Sequence, residues 1–216
     1  DGRRTVHVRW VRSNYLEGEI AASKLTKSMP TPFILEGNLA ADLHVTRTER
    51  GLLDTWFDSI KLKFAFKSIH QLSDIDLLAK RVNTKILPPF IHISSHGYVD
   101  TEKRPCIQLL DDELYLDDPN TIEVFSQFEG YPVFFSACLL GRFQEPIKKF
   151  QAAAKLGPIV VSTREIYDYE AMLFGLMLYQ CIIRGCLTFE DAVSRCIEAL
   201  RIIGIKGCKG RGQAYA

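Results

Sequence analysis

Three short, almost uninterrupted apolar runs constrain this chain most: FIHISS at Phe90–Ser95, VFF at Val133–Phe135 and IVV at Ile159–Val161. Each is too short for a helix and lacks the alternation of a strand with one wet face. Such runs are buried on both sides, the condition of strands in a parallel sheet. The segments between them carry helical spacing, and strands alternating with helices predict an α/β sandwich around a mostly parallel central sheet flanked by helices.

Local signals fill in the order. Thr5–Arg12 alternates through Val6, Val8 and Trp10 or Val11 and reads as a strand; Leu16–Ser28 has helical spacing and is stopped by Met29-Pro30-Thr31-Pro32. Phe33–Glu36 is a short strand running into the turn pair Gly37-Asn38, Thr48–Leu62 an amphipathic helix, and Lys63–Ile69 an alternating strand. Ser73 with Asp76 predicts an N-cap for a helix through Leu77, Leu78 and Val82. Cys106–Leu116 reads as a hairpin turning at Asp111-Asp112, and Asn120 with Glu123 as a capping box opening Thr121–Phe128. Glu145–Leu156 is helical with Pro146 in its first turn, Tyr167–Ile183 is a helix apolar on most faces, and Thr188 caps a last helix through Val193, Ile197 and Leu200.

Composition narrows the function classes. A chain of 216 residues with 47% hydrophobic residues fits one domain with a sizeable core, plus an N-terminal strand and helix appendage over residues 1–31. The formal net charge of +1, with no basic stripe, argues against nucleic acid or an acidic membrane as partner. None of the six cysteines sits in a CxxC pair; Cys181, Cys186 and Cys196 fall in apolar helical patterns as small hydrophobes, which fits a reduced, cytoplasmic compartment. The longest apolar segment, Ala171–Ile183, is too short to span a membrane. The chain lacks an initial methionine, so a piece of something longer or a processed product is expected.

The candidate chemistry sits where two of the buried runs end. The first ends at His96-Gly97, and the second passes through Ser136 and Ala137 to Cys138. Ligands of open α/β sheets bind beyond the carboxyl ends of the strands, so a thiol and an imidazole there form a Cys/His nucleophilic site if the strands are parallel neighbours. The imidazole would accept the thiol proton and later donate one to a leaving amine. The backbone N–H groups of Gly97 and Cys138 are the oxyanion-hole candidates.

ISSHG at Ile93–Gly97 and FFSAC at Phe134–Cys138 resemble the two signatures of caspase-like (clan CD) cysteine peptidases, most nearly the bacterial CHAT group. The similarity extends through the acidic-turn hairpin, GPIVVSTREIYDYEAMLFGLMLYQCIIRG and TFEDAVSRCIEAL, and covers roughly Pro32 to the C-terminus. His96 lies 42 residues before Cys138, against about 50 in caspases. Ser136 and Leu139 replace the caspase-type neighbours of the cysteine, which puts aspartate specificity in question.

The resemblance implies a caspase-like three-layer sandwich over residues 32–216. It implies hydrolysis of protein substrates through a thioester, with Cys138 as nucleophile and His96 as acid/base, and no cofactor or metal. It further implies an effector of bacterial defence or programmed death, working with a regulatory or sensor domain or subunit outside this chain. Ser136, Arg164 and Asp168 are the substrate-pocket candidates. Two other readings stand beside it: a catalytically inactive interaction module, and a zinc site built from His92, His96 and Cys106 or Cys138. The hairpin acids Asp111, Asp112, Asp117 and Asp118 read as solvated turns, with basic substrate residues or calcium as the lesser alternative.

Overall fold

Five short strands pair side by side, and four of them end on a polar residue. In the computed structural model, which describes residues 31–37, 44–85 and 88–203, these are β1 (Phe33–Glu36, FILE), β2 (Ala65–Ser68, AFKS), β3 (Ile91–Ser94, IHIS), β7 (Val133–Ser136, VFFS) and β8 (Ile159–Val160). Their order is β2-β1-β3-β7-β8 and every pairing is parallel. A second, antiparallel sheet is formed by β4 (Gly97–Val99), β5 (Pro105–Gln108) and β6 (Glu113–Tyr115). Six helices are described: α1 (His44–Ser59), α2 (Leu72–Lys85), α3 (Pro119–Ser126), α4 (Gln144–Ala153), α5 (Asp168–Ile183) and α6 (Phe189–Ile203). The chain is thus an α/β sandwich with helices on both faces of a parallel sheet, as its apolar runs predict.

The two faces follow from strand alternation. Phe33, Leu35, Ile91, Ile93, Val133 and Phe135 pack one way, against Ile75 and Leu78 of α2, Phe125 of α3 and Phe150 of α4. Ile34, Phe134 and Val160 pack the other way, against Leu53 and Phe57 of α1, Phe174, Leu178 and Tyr179 of α5, and Ala192 and Leu200 of α6. Helices on opposite faces for opposite directions of travel are what a single crossover hand requires. From β1 the chain moves outward to β2 with α1 on one face, then returns across β1 to β3, β7 and β8 with α2, α3 and α4 on the other. Winding reverses between β1 and β3, which makes that gap the topological switch point where open α/β sheets form a crevice.

Several local expectations shift. The predicted N-cap Ser73 lies inside α2; Asp74 does the capping, its carboxylate accepting the N–H groups of His70 and Gln71 at 2.8 and 3.4 Å. The N-cap of α3 is Asp118, which accepts from Asn120 and Thr121, because Pro119 has no N–H and fits the first helical position. Cys186 is not in a helix but exposed in the turn after α5. Thr188 does cap α6, receiving the Asp191 N–H at 3.2 Å. The expected strand Thr5–Arg12 and helix Leu16–Ser28 lie outside the described residues. Among the described residues no helix is long and apolar enough to cross a membrane.

Candidate active site

β3 and β7 are neighbours in register, with Ser94 opposite Ser136. The ladder continues past the strands, the Ser95 N–H donating to the Ser136 carbonyl at 3.2 Å. His96 and Cys138 therefore stand two residues beyond one aligned pair, the step that returns a side chain to the same face of an extended strand. Both are half-buried at the carboxyl rim of the sheet.

Gly97 brings the two rims into contact. The chain turns after His96 into β4, held by the Gln108 N–H on the His96 carbonyl at 3.0 Å and by the Ser95 hydroxyl on the Gln108 carbonyl. A Cβ on Gly97 would stand 2.5 Å from the Cys138 carbonyl oxygen, 2.9 Å from Ala137 Cβ and 3.1 Å from Leu140 Cγ. Only a residue without a side chain permits that approach. Gly97→Ala should therefore push the His96 and Cys138 segments apart, lowering stability by about 1–3 kcal/mol as overpacking does. A shift of about 1 Å between reacting groups costs about 10²-fold in kcat/KM. Melting temperature and peptide turnover measured together check this; wild-type values of both would mean the two rims do not bear on each other.

Cys138 ends in a sharp turn. Leu139 adopts φ 62°, a left-handed conformation that costs a non-glycine residue about 1–2 kcal/mol, and a 3₁₀ turn follows over Leu140–Arg142. The Leu139 N–H is held by the Arg164 carbonyl at 3.2 Å and the Leu139 carbonyl by the Arg142 N–H at 2.9 Å. Strain of this kind persists where surrounding structure enforces it, and it collects at functional sites. Here it turns the backbone away immediately after the sulfur.

The sulfur itself meets the peptide of Ile166. Cys138 Sγ is 3.6 Å from the Ile166 carbonyl oxygen and 3.5 Å from the Ile166 nitrogen. The pair of contacts serves both protonation states: a thiol donates to the carbonyl, and a thiolate accepts from the N–H. The Ile166 backbone was not legible in advance, because a residue acts there through its main chain alone.

Arg164, a pocket candidate from the sequence, is committed elsewhere. Its guanidinium lies 3.1 Å from both carboxylate oxygens of Glu170, which is 1% exposed and also accepts the Tyr167 N–H at 3.0 Å. This clamp fixes the Thr163–Tyr167 segment that carries Ile166. The three-residue spacing from Tyr167 to Glu170, that of a capping box, was the available sequence signal. Arg164 keeps 31% of its side chain in solvent, so Glu170→Ala leaves a partly hydrated cation and should cost about 1–3 kcal/mol, the worth of the lost charge-assisted hydrogen bonds. It should also alter the alkylation rate of Cys138; an unchanged unfolding midpoint would contradict the clamp. Asp168 is the first residue of α5, and its side chain is outside the described set.

Ser136, the remaining pocket candidate, is 5% exposed, and its hydroxyl has no hydrogen-bond partner among the described residues. It belongs to a polar row across the sheet: Ser68, Glu36, Ser94 and Ser136 occupy one register line and one face. Glu36 is 2% exposed; burial pushes its carboxyl up, against the opposing pull of Arg50, whose guanidinium lies 3.4 Å away. Ser94 donates to Glu49 at 2.9 Å, and Glu49 is itself 4% exposed. Glu36, Ser94 and Glu49 were missed by sequence reasoning, although a polar residue closing each buried run was a visible pattern.

His92 stays apart from the rim. Its ring is fully buried, stacked on Phe134 with centroids 4.8 Å apart, and Nδ1 meets the Tyr179 hydroxyl at 3.3 Å. Glu49 Oε1 lies 3.7 Å from Nε2, within ion-pair range but too far for a hydrogen bond. Desolvation outweighs that carboxylate and holds the imidazole neutral, its pKa lowered to about 3. No group of three His, Cys, Asp or Glu residues able to hold a metal ion occurs among the described residues, so the zinc set of His92, His96 and a cysteine is not assembled.

The other thiols have different surroundings. Burial pushes Cys106 up to about 11, whereas a hydrogen bond from Cys196 lowers Cys181 to about 7. No protein-family model matches the chain, and no curated protein does.

Proposed function

We propose that the chain is a cysteine endopeptidase of the caspase-like, CHAT-type kind, with Cys138 as nucleophile and His96 as acid/base. The observation that carries this reading is the juncture at Gly97: adjacent parallel strands end in an imidazole residue and a thiol residue, and their backbones touch there. In the proposed reaction His96 takes the Cys138 proton and the thiolate attacks the scissile carbonyl carbon. The resulting oxyanion is met by the N–H groups of Gly97 and Cys138. Return of the proton to the leaving amine yields a thioester, which water hydrolyses with His96 as base. The Ile166 N–H supports the thiolate between turnovers.

Protein is the proposed substrate, and the cytoplasm and a regulatory partner outside this chain belong to the same proposal. The test is exposure of the protein to a peptide library and to a peptidyl ketone electrophile, read by mass spectrometry. Cleavage together with adduct formation at Cys138 supports the reading. Because a hydrogen bond from Cys196 lowers the Cys181 pKa, an adduct distributed over Cys181 and the exposed Cys186, with no cleavage, rejects it. One feature favours the second reading, a docking module without turnover: Tyr167 and Tyr169, 60% and 49% exposed, stack at 5.5 Å next to the segment that covers the sulfur.

A further inference from the structure

We propose that Cys181 and Cys196, where α5 packs on α6, form a thiol pair that a peroxide oxidises to a disulfide joining the two helices. The pair is a second reactive site, separate from the Cys138 rim, and it stands whether or not the chain is a peptidase. The end of α5 that carries Cys181 lies beside Pro89, Pro132 and Pro158, which precede β3, β7 and β8, so it sits at the amino edge of the sheet.

Packing brings the two sulfurs together. α5 and α6 are joined by residues 184–188 alone and lie against each other. Ala192 and Cys196, four residues apart on one face of α6, are both fully buried. Two small side chains at a helix contact favour a close approach of the partner helix. Cys181, near the end of α5, packs against the apolar cluster that contains Cys196. Both are free thiols, and a hydrogen bond links them. In the sequence each reads as a small hydrophobe; the pairing exists only once α6 folds back on α5.

The two members are unequal in the way such a reaction needs. Cys181 is half-buried and open to a small solute, whereas Cys196 is sealed in the core. The Cys196 S–H donates to the Cys181 sulfur. That bond and the nearby Arg195 guanidinium hold the Cys181 thiol below the ordinary range, against burial, which acts the other way. The same bond, with burial, pushes the Cys196 thiol up. Cys181 is therefore the attacking thiolate, and Cys196 is the resolving thiol, which keeps its proton until the second step.

The chemistry closes without a further reactant. The Cys181 thiolate attacks one oxygen of hydrogen peroxide. An S–O bond forms, the O–O bond breaks, and the departing hydroxide takes the proton that Cys181 released and leaves as water. The Cys196 sulfur then attacks the sulfenic sulfur. The S–S bond forms as the S–O bond breaks, and the second hydroxide leaves as water with the Cys196 proton. One peroxide is reduced by two electrons, and two thiols become one disulfide. A dithiol reverses the bond by exchange.

Peptide mapping after oxidation tests the proposal. The folded chain is treated with a small excess of hydrogen peroxide, quenched with catalase, alkylated in denaturant and digested with trypsin. Cleavage at Arg184 and Arg195 puts Cys181, Cys186 and Cys196 on three separate peptides. The expected product is peptide 165–184 cross-linked to peptide 196–201, released by dithiothreitol, with a melting temperature raised by about 5 °C or more. Cys196→Ala should instead leave Cys181 as a sulfenic acid that dimedone labels, with no rise in melting temperature. Cys181→Ser should leave Cys196 unoxidised. The wild-type map decides alone if a variant does not fold. Cross-linking of Cys181 to the exposed Cys186, or recovery of Cys181 and Cys196 both alkylated after the peroxide treatment, overturns the inference.

Discussion

Cys138→Ala should lower peptide cleavage by about 10⁴-fold, His96→Ala should do nearly the same, and the double variant should be no worse than the single ones. In the proposed mechanism the thiolate and the imidazole act as one unit, so removing either removes the whole covalent route. The residual rate belongs to the backbone donors and to substrate binding. Stability should barely move in Cys138→Ala. The residue is only half-buried, and the Ile166 peptide it meets is held independently by the Arg164–Glu170 clamp. Substitutions of this kind typically fall within about 1 kcal/mol. Kinetics of the three variants beside their thermal melts checks the expectation. Independent, multiplying losses would mean that the two groups do not work together, and normal cleavage by purified Cys138→Ala protein would end the peptidase reading.

The second large effect concerns stability against pH. His92 is fully buried and its imidazole is held at about 3, whereas an unfolded chain titrates near 6.5. Between those values the unfolded state binds a proton that the native state refuses. Stability is therefore complete above pH 6.5 and falls as the pH is lowered, by about 1.4 kcal/mol per pH unit, levelling off near pH 3. At pH 4.5 the loss attributable to this one ring is about 3 kcal/mol. Glu36 works with the opposite sign, since burial raises its carboxyl and favours the protonated native form at low pH. Subtracting the pH profile of a His92→Phe variant isolates the histidine, because Glu36 is common to both proteins. Urea unfolding from pH 7 to pH 4.5 should show wild type losing stability faster than the variant. Parallel profiles would mean that the ring is hydrated or already charged in the native state.

Both results depend on the same division of the sheet. The rim of β3 carries the histidine proposed for proton transfer, and four residues earlier the same strand carries one that stays neutral. What separates them is packing. His92 is enclosed by Phe90, Phe134 and Tyr179, whereas His96 follows the last paired residue and remains half-exposed. The aromatic enclosure also explains Gly175 in α5: a Cβ there would come within 3.0 Å of Glu49 Oε1 and 3.7 Å of His92 Cε1, so the helix rests against the buried pair through a residue without a side chain.

Much of this was legible in the linear chain. Uninterrupted apolar runs such as VFF can only be buried on both faces, and that condition alone implies a parallel sheet with helices above and below. Helical spacing located α1, α4, α5 and α6 to within a few residues, and Thr188 announced its own helix. The HG and SAC endings by themselves put an imidazole and a thiol at strand ends. These are local properties, set by which side chains shun water and which backbone groups need a cap.

The tertiary structure decided everything that passes between strands. Nothing in the chain specifies that Ser94 aligns with Ser136, or that winding reverses between β1 and β3. Those follow from hydrogen bonds closed over long loops and from which faces the helices cover. Arg164 could be read as a free cation until Glu170 was seen holding it, and Glu36 as the mere end of a strand until its register line was drawn. Local chemistry named the candidate groups; only the non-local pairing of strands could say which residues stand beside them, because side-chain environment is a property of neighbours that the chain brings in from far away.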